Sequence, residues 1–179
     1  MSLTHLVTVS DAPALTALYW ANREFLAPWE PLRDAEFYTE RAQRAVIERQ
    51  LDSYERGLCI PHVILDAGGQ IAGRINLNNV VRGAFQSCSA GYWVSQSANG
   101  RGLATAALGE MTGLAFGAFG LHRVEAATLP HNAASQRVLE RNGFARIGIA
   151  PEYLSIAGRW QDHLLFQRIA TRDDGQRRS

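Results

Sequence analysis

The chain has 179 residues, of which 46% are hydrophobic and 20% charged, and its formal net charge is +1. That length and balance describe one globular domain with a single core, not a disordered or fibrous chain. A near-neutral charge without basic runs argues against broad nucleic-acid binding, and no stretch approaches the roughly 18 apolar residues of a membrane span. The N-terminus lacks the basic region and apolar core of a signal peptide. Cys59 and Cys88, the two cysteines, sit in apolar or strand-like stretches and read as reduced core thiols of a cytoplasmic protein without a metal site.

In chain order, Leu6 to Val9 is expected to be a short strand. A helix follows, capped near Ser10 or Asp11 with Pro13 in its first turn. Phe25 to Pro31 is an aromatic, proline-punctuated connection, and Asp34 to Arg56 a second helix with a broken stripe of Phe37, Ala45, Ile47 and Leu51. Leu58 to Leu65 and Ile71 to Leu77 are strands joined by the turn residues Ala67-Gly68-Gly69-Gln70. Ser87 to Ser95 is the next strand, after a loop around Arg82-Gly83. A helix from Leu103 places Ala107, Met111, Leu114, Ala115 and Ala118 on one buried face. Arg123 to Thr128 is a strand, and Asn132 can cap a short helix that runs to about Arg141 and ends at Asn142-Gly143. Ala145 to Ile156 and Arg159 to Ile169 form a last strand pair around Ala157-Gly158. The expected architecture is a single α/β domain over residues 1–170, a mixed sheet of about seven strands flanked by about four helices. A polar tail over 171–179 is expected to be disordered.

The segment Val94-Ser95-Gln96-Ser97-Ala98-Asn99-Gly100-Arg101-Gly102-Leu103-Ala104-Thr105 takes a strand through a two-glycine loop directly into a helix. Such an order cradles phosphate: glycines allow close backbone approach and positive φ, and a helix start offers unpaired N–H groups at its positive end. A dinucleotide fingerprint is excluded because its third glycine position is Thr105, and a P-loop because no Lys-Ser or Lys-Thr pair occurs.

Asn99-Gly100-Arg101-Gly102-Leu103-Ala104 instead resembles the acetyl-CoA pyrophosphate loop of the GCN5-related N-acetyltransferases, with Asn99 in place of the usual Gln or Arg. Asn132-Ala133-Ala134-Ser135 and Arg141-Asn142-Gly143-Phe144 resemble a second mark of that family, whose helix-capping Asn holds the pantetheine arm. Narrower blocks resemble the RimJ and RimL type of ribosomal-protein-alanine N-acetyltransferase. These are Asn22 to Leu26 with Pro28-Trp29-Glu30-Pro31, Asn79-Val80-Val81-Arg82-Gly83, Pro130-His131-Asn132, and Tyr153-Leu154 with Gly158 to His163. The resemblance implies that fold, acetyl-CoA as co-substrate without a metal, and a protein N-terminus as acceptor. It leaves open a small-molecule amine as acceptor, and a non-catalytic ribosome-associated binding protein of the same fold. Oligomeric state is open.

Acetyl transfer to an amine needs a neutral amine, a donor for the oxyanion and a partner for the departing thiolate. An N-terminal amine with pKa near 8 costs roughly 1 kcal/mol to deprotonate at pH 7, against about 4.6 for lysine, so one carboxylate suffices. Glu152 is the candidate base, at a position where RimL-type enzymes carry Glu, and Glu30 is its rival or a holder of the cationic amine. The family's Tyr, seven residues after the capping Asn, is Leu139 here, so Ser135 is assigned the hydrogen bond to sulfur. The backbone N–H of Val94 or Ser95 is expected to meet the oxyanion, and Arg101 can touch a phosphate. Trp29, Glu30, Asn79 and Arg82 are expected at the acceptor, with Trp93 and Trp160 either beside it or in the core. His131 and His163 read as structural.

Overall fold

A computed structural model describes residues 2–171; most of the expected polar tail lies outside them. Strand β1 (Thr4–Leu6) leads through a short 3-10 turn (Val9–Asp11) into α1 (Ala12–Leu26). A second 3-10 turn (Ala35–Tyr38) precedes α2 (Glu40–Glu55). Strands β2 (Ile60–Leu65), β3 (Ile71–Val81) and β4 (Ser87–Val94) follow, then α3 (Leu103–Phe116), β5 (Arg123–Thr128) and α4 (Ala133–Arg141). The hairpin of β6 (Ala145–Ile156) and β7 (Arg159–Ile169) ends the domain. The seven strands form one sheet in the order β1-β2-β3-β4-β5-β7-β6.

Three expected boundaries move, each for a local reason. The first strand ends at Leu6, because the Asp11 carboxylate accepts the Thr8 N–H at 2.8 Å and starts the turn there. Its start is fixed by Glu110 of α3, which accepts the N–H groups of Leu3 (2.8 Å) and Thr4 (3.1 Å). The helix expected over Asp34 to Arg56 is broken at Thr39. Asp34 caps the 3-10 turn through the Phe37 N–H (2.9 Å), and extended Thr39 caps α2 through Ala42 N–H (3.2 Å). β3 runs past Leu77 to Val81, with a register shift between Asn78 and Val81 that Asn79 accommodates at φ 52°.

Strand side chains alternate between faces. On one face Ile75, Leu77, Cys88, Ala90, Val94, Val124, Ala126 and Phe166 meet Leu108, Met111 and Ala115 of α3 and Leu139 of α4. On the other, Leu15 of α1 and Ile47 of α2 pack with Val7 and Val63. Full burial of each such large aliphatic side chain contributes about 1.5–3 kcal/mol, so both helix layers are fixed to the sheet.

β4 and β5 are the parallel neighbours, and they pair only over Ser87↔Arg123, Cys88↔Val124 and Ser89↔Glu125. Beyond that point β4 is held by β3 alone, as far as Gly73↔Val94, and β5 by β7, as far as Thr128↔Leu164. The close approach of β3 to β4 depends on Gly73, where a Cβ would lie 2.2 Å from the Trp93 carbonyl oxygen. Gly73→Ala should therefore destabilise by about 1–3 kcal/mol, seen as a lower urea midpoint with an unchanged slope. The β6–β7 turn places Ala157 (φ 50°) before Gly158 (φ 79°), both in the left-handed region. Asn tolerates that region better than Ala, so Ala157→Asn should stabilise by up to about 1 kcal/mol and raise Tm by roughly 2–4 °C.

Candidate active site

Where β4 and β5 part, an opening of about 430 Å³ runs from one face of the sheet to the other. Ala90 to Trp93 of β4 and Ala126 to Leu129 at the end of β5 line it. The Ser95 N–H donates to Ala72 O at 2.7 Å and so belongs to the β3 ladder. N–H groups alternate along a strand, so those of Tyr92 and Val94 point the other way, toward the gap. The expectation that either Val94 or Ser95 offers a free N–H thus narrows to Val94.

At the α3 end of the gap, Gly100 and Gly102 adopt φ 75° and 77°, and Gly102 is the N-cap residue. No side chain caps the first turn of α3, which leaves the N–H groups of Leu103, Ala104 and Thr105 free of side-chain caps. Asn99 and Arg101 are exposed beside them. A Cβ at Gly102 would meet nothing within 4 Å, so the glycine is required for its φ and not for space. Buried Asn22 of α1 anchors the loop by accepting from Gln96 N–H (2.9 Å) and Ser95 Oγ (3.3 Å).

The two mouths of the cleft differ in chemistry. On the α1–α2 face, Trp93 Nε1 donates to Tyr19 Oη at 3.1 Å, and the rings lie 4.7 Å apart. Buried Arg74 donates to Gln50 Oε1. Glu30 lines the same side, 3.7 Å from Arg33 Nε, with its side chain only 18% exposed. Burial pushes the Glu30 carboxyl above its ordinary range, and Arg33 and Arg74 only partly offset that. The loop carrying Glu30 is stitched to the β6–β7 turn by Ala157 N–H donating to Glu30 O (2.9 Å). Trp29, on the cleft wall, lies tilted against His131 with ring centres 5.4 Å apart.

On the α3–α4 face, Asn132 caps α4 by accepting the Ser135 N–H at 3.0 Å, and both residues line the cleft. Leu139 stands on the same wall, fully buried and without a proton to give. Tyr92 reaches Ser135, with Oη 3.0 Å from Oγ.

Several expected site residues lie elsewhere. Glu152 is exposed on a bulge of β6 between Ala150 and Leu154, at φ 45°, and its N–H donates to Asp162 Oδ1 at 2.9 Å. It does not line the cleft. Neither do Asn79, whose Nδ2 donates to Ser89 Oγ (3.2 Å), nor Arg82, whose guanidinium donates to Phe119 O (2.6 Å) at the far end of β4. Trp160 is 65% exposed and also off the cleft. His163 is buried on the cleft wall with Nδ1 2.9 Å from Gln161 O. Sequence reasoning missed Tyr19, Arg74, Asn76 and Tyr92; an arginine inside the apolar Ile71 to Leu77 strand was the available signal for Arg74. Among the described residues no three His, Cys, Asp or Glu side chains converge as metal ligands, and no helix is long and apolar enough to cross a membrane.

Comparison with known proteins agrees with this architecture. The family model for the acetyltransferase (GNAT) domain matches residues 2–145. The [ribosomal protein uS5]-alanine N-acetyltransferase of Escherichia coli (strain K12) is 35% identical over 164 residues, covering 91% of this chain and 84% of that protein. The structure of Mycobacterium smegmatis RimJ in complex with CoA-disulfide is 34% identical with a TM-score of 0.90, over 93% of this chain and 81% of that one. Ribosomal-protein-S5-alanine acetyltransferase from Vibrio fischeri is 32% identical with a TM-score of 0.88, over 93% and 91% of the two chains. With its split β4–β5 pair and glycine-cradled helix start, the chain belongs to the GNAT family of acetyltransferases and uses acetyl-CoA.

Proposed function

We propose that this acetyltransferase acts on the N-terminal amine of a protein, an N-terminal alanine of a ribosomal protein, in the cytoplasm. The observation that carries the reading is the cleft through the sheet, with an acidic, aromatic mouth on the α1–α2 face and a hydroxyl-lined mouth on the other. Two mouths let a thioester and an amine meet from opposite sides at the parted strands. The names of the relatives, which specify an alanine of a ribosomal protein, support the choice of acceptor.

Acetyl-CoA supplies the thioester. Its pyrophosphate would lie on Asn99 to Thr105, where the free N–H groups of the α3 start converge, with Arg101 beside it. Asn132 would hold the pantetheine arm. The Val94 N–H would face the thioester oxygen as negative charge develops there, and Ser135 would donate to the sulfur. Glu30, beside Trp29, would hold the incoming ammonium and take its proton. Burial brings its proton affinity closer to that of an amine than an exposed carboxylate allows, which is why Glu30 displaces Glu152 in this role.

Gly102→Val should weaken acetyl-CoA binding at least tenfold by calorimetry while the protein stays folded, because a β-branched residue cannot hold φ 77°; wild-type affinity would place the pyrophosphate elsewhere. Glu30→Gln should lower kcat on the order of 10²-fold, with partial recovery at higher pH, whereas Glu152→Gln should change it little. A raised folded-state carboxyl pKa means the folded protein binds the extra proton, so stability falls as pH rises past the ordinary Glu range of about 4.3. Glu30→Gln should accordingly raise Tm at pH 7 relative to wild type and lose that advantage near pH 4. The acceptor is tested with peptides: one with a free N-terminal alanine should turn over, and one with a blocked terminus and a free lysine should not. The enzyme itself contains no lysine, so acetyl-lysine in the assay can come only from the peptide. Turnover of the blocked peptide, or of small amines alone, would replace the proposed acceptor.

A further inference from the structure

We infer that Tyr92 is the positioning residue for the thiolate side of the reaction: its phenol donates to Ser135 Oγ, which turns the Ser135 hydroxyl proton toward the coenzyme sulfur. The inference rests on the sulfur contact proposed for Ser135. Tyr92 is the third residue of β4 past its last pairing with β5, and its side chain crosses to the first turn of α4. Its Oη lies 3.0 Å from Ser135 Oγ and 3.4 Å from Ser135 O, so the hydroxyl is the nearer acceptor. Both side chains line the cleft, and Asn132 fixes the Ser135 backbone through the 3.0 Å cap.

Either hydroxyl can donate when the pair is alone. Only one polarity leaves the serine proton for a third atom, and a developing thiolate selects it. The phenol then serves as donor, the serine oxygen as acceptor, and the serine O–H as donor to sulfur. With Leu139 standing on the same wall, no hydroxyl from that position of α4 reaches the site, so Ser135 in the first turn of α4 supplies it, backed by Tyr92 of β4.

The pair holds the thiolate and does not protonate it. The new C–N bond forms from the amine lone pair, and the C–S bond breaks with its electron pair leaving on sulfur. Glu30 passes the first, ammonium proton to solvent before attack and then takes the second, released from nitrogen as the amide forms, and the thiolate takes its own proton from solvent. Burial pushes the Tyr92 phenol up to about 12, above the range in which a thiol titrates. The pair therefore holds the thiolate by hydrogen bonding and keeps its own protons.

The test is a double-mutant cycle with Tyr92→Phe, Ser135→Ala and the double variant, read in two ways. In complexes with CoA, ultraviolet thiolate absorbance gives the pKa of the bound thiol; with acetyl-CoA and the alanine peptide, kcat gives the transfer rate. Wild type should bind CoA with its thiol pKa below that of free CoA. Ser135→Ala should raise that pKa and lower kcat by about 10- to 100-fold, and Tyr92→Phe should move both the same way by up to about 10-fold. The double variant should match Ser135→Ala, because Tyr92 has nothing to act through once the serine is gone. Tm and the CoA Kd of Tyr92→Phe should stay near wild type. If Ser135→Ala leaves thiol pKa and kcat unchanged, the serine–sulfur contact itself falls. If Ser135→Ala behaves as expected but Tyr92→Phe is silent or additive with it, or changes Tm without moving the thiol pKa, the serine role stands and the tyrosine role is overturned.

Discussion

Parallel strands normally keep their ladder, because each buried N–H and C=O left without a partner costs free energy. β4 and β5 abandon theirs after Ser89↔Glu125, and the arrangement of the other strands makes that tolerable. β4 stays bonded to β3 along its outer edge, and β5 to β7 for six residues. The sheet opens along one seam while every strand retains a neighbour. The backbone groups released at the seam are of the kind an acyl-transfer site requires, and the proposed oxyanion donor, the Val94 N–H, is one of them. Gly73 secures the outer edge, and Asn22 holds the loop that leaves it. Cradle, slot and acceptor mouth are thus consequences of one interrupted pairing.

If the α1–α2 mouth receives the acceptor, as proposed, its charges bear on the form in which an amine enters. Arg33 and Arg74 flank one carboxyl, Glu30, in a half-buried space. Arg74 is 4% exposed, and its Nε finds no hydrogen-bond partner among the described residues. Two fixed cations beside an amine favour its neutral form, while the carboxylate offers a place for the proton it loses. An N-terminal amine, already close to neutrality, gains most from such surroundings, whereas a lysine ε-amine would still carry most of its deprotonation cost.

Local signals made most elements legible. Pro13 in the first turn of α1, Asn132 at the α4 cap, the paired glycines before Gln70 and the alternating strands each fix conformation within a few residues. The glycine loop before α3 was legible for the same reason, since strand, loop and helix are consecutive. Errors arose where two local signals competed or where placement depended on distant pairing. Asp34 and Thr39 are both capping residues five positions apart, and an apolar stripe continues across the break between them. The bulge at Glu152 is marked only by Pro151, which fits an edge strand as well as a bulge and does not say that the carboxylate lies off the cleft. Asn79 and Arg82 belong to a hairpin end whose distance from the gap is set by strand length alone. Glu30, Ser135 and Tyr92 meet one cleft only because β4, α4 and the α1–α2 connection converge in space.

The nature of the cations follows from what the site must hold. All positive side chains of this chain are arginine, 18 in number, and lysine is absent. In most of the molecule the choice has small consequences, but Arg74 is buried on the cleft wall, where the two side chains differ most. Burial would push a lysine there toward its neutral form, and a neutral amine lining the cleft could itself accept acetyl. Guanidinium keeps its charge at any accessible pH and is a poor acyl acceptor. Its planar fork also lets it bond Gln50 while remaining beside Tyr19 and Glu30. A cleft built to acetylate amines therefore obtains its fixed positive charge from the basic side chain that cannot compete as a substrate.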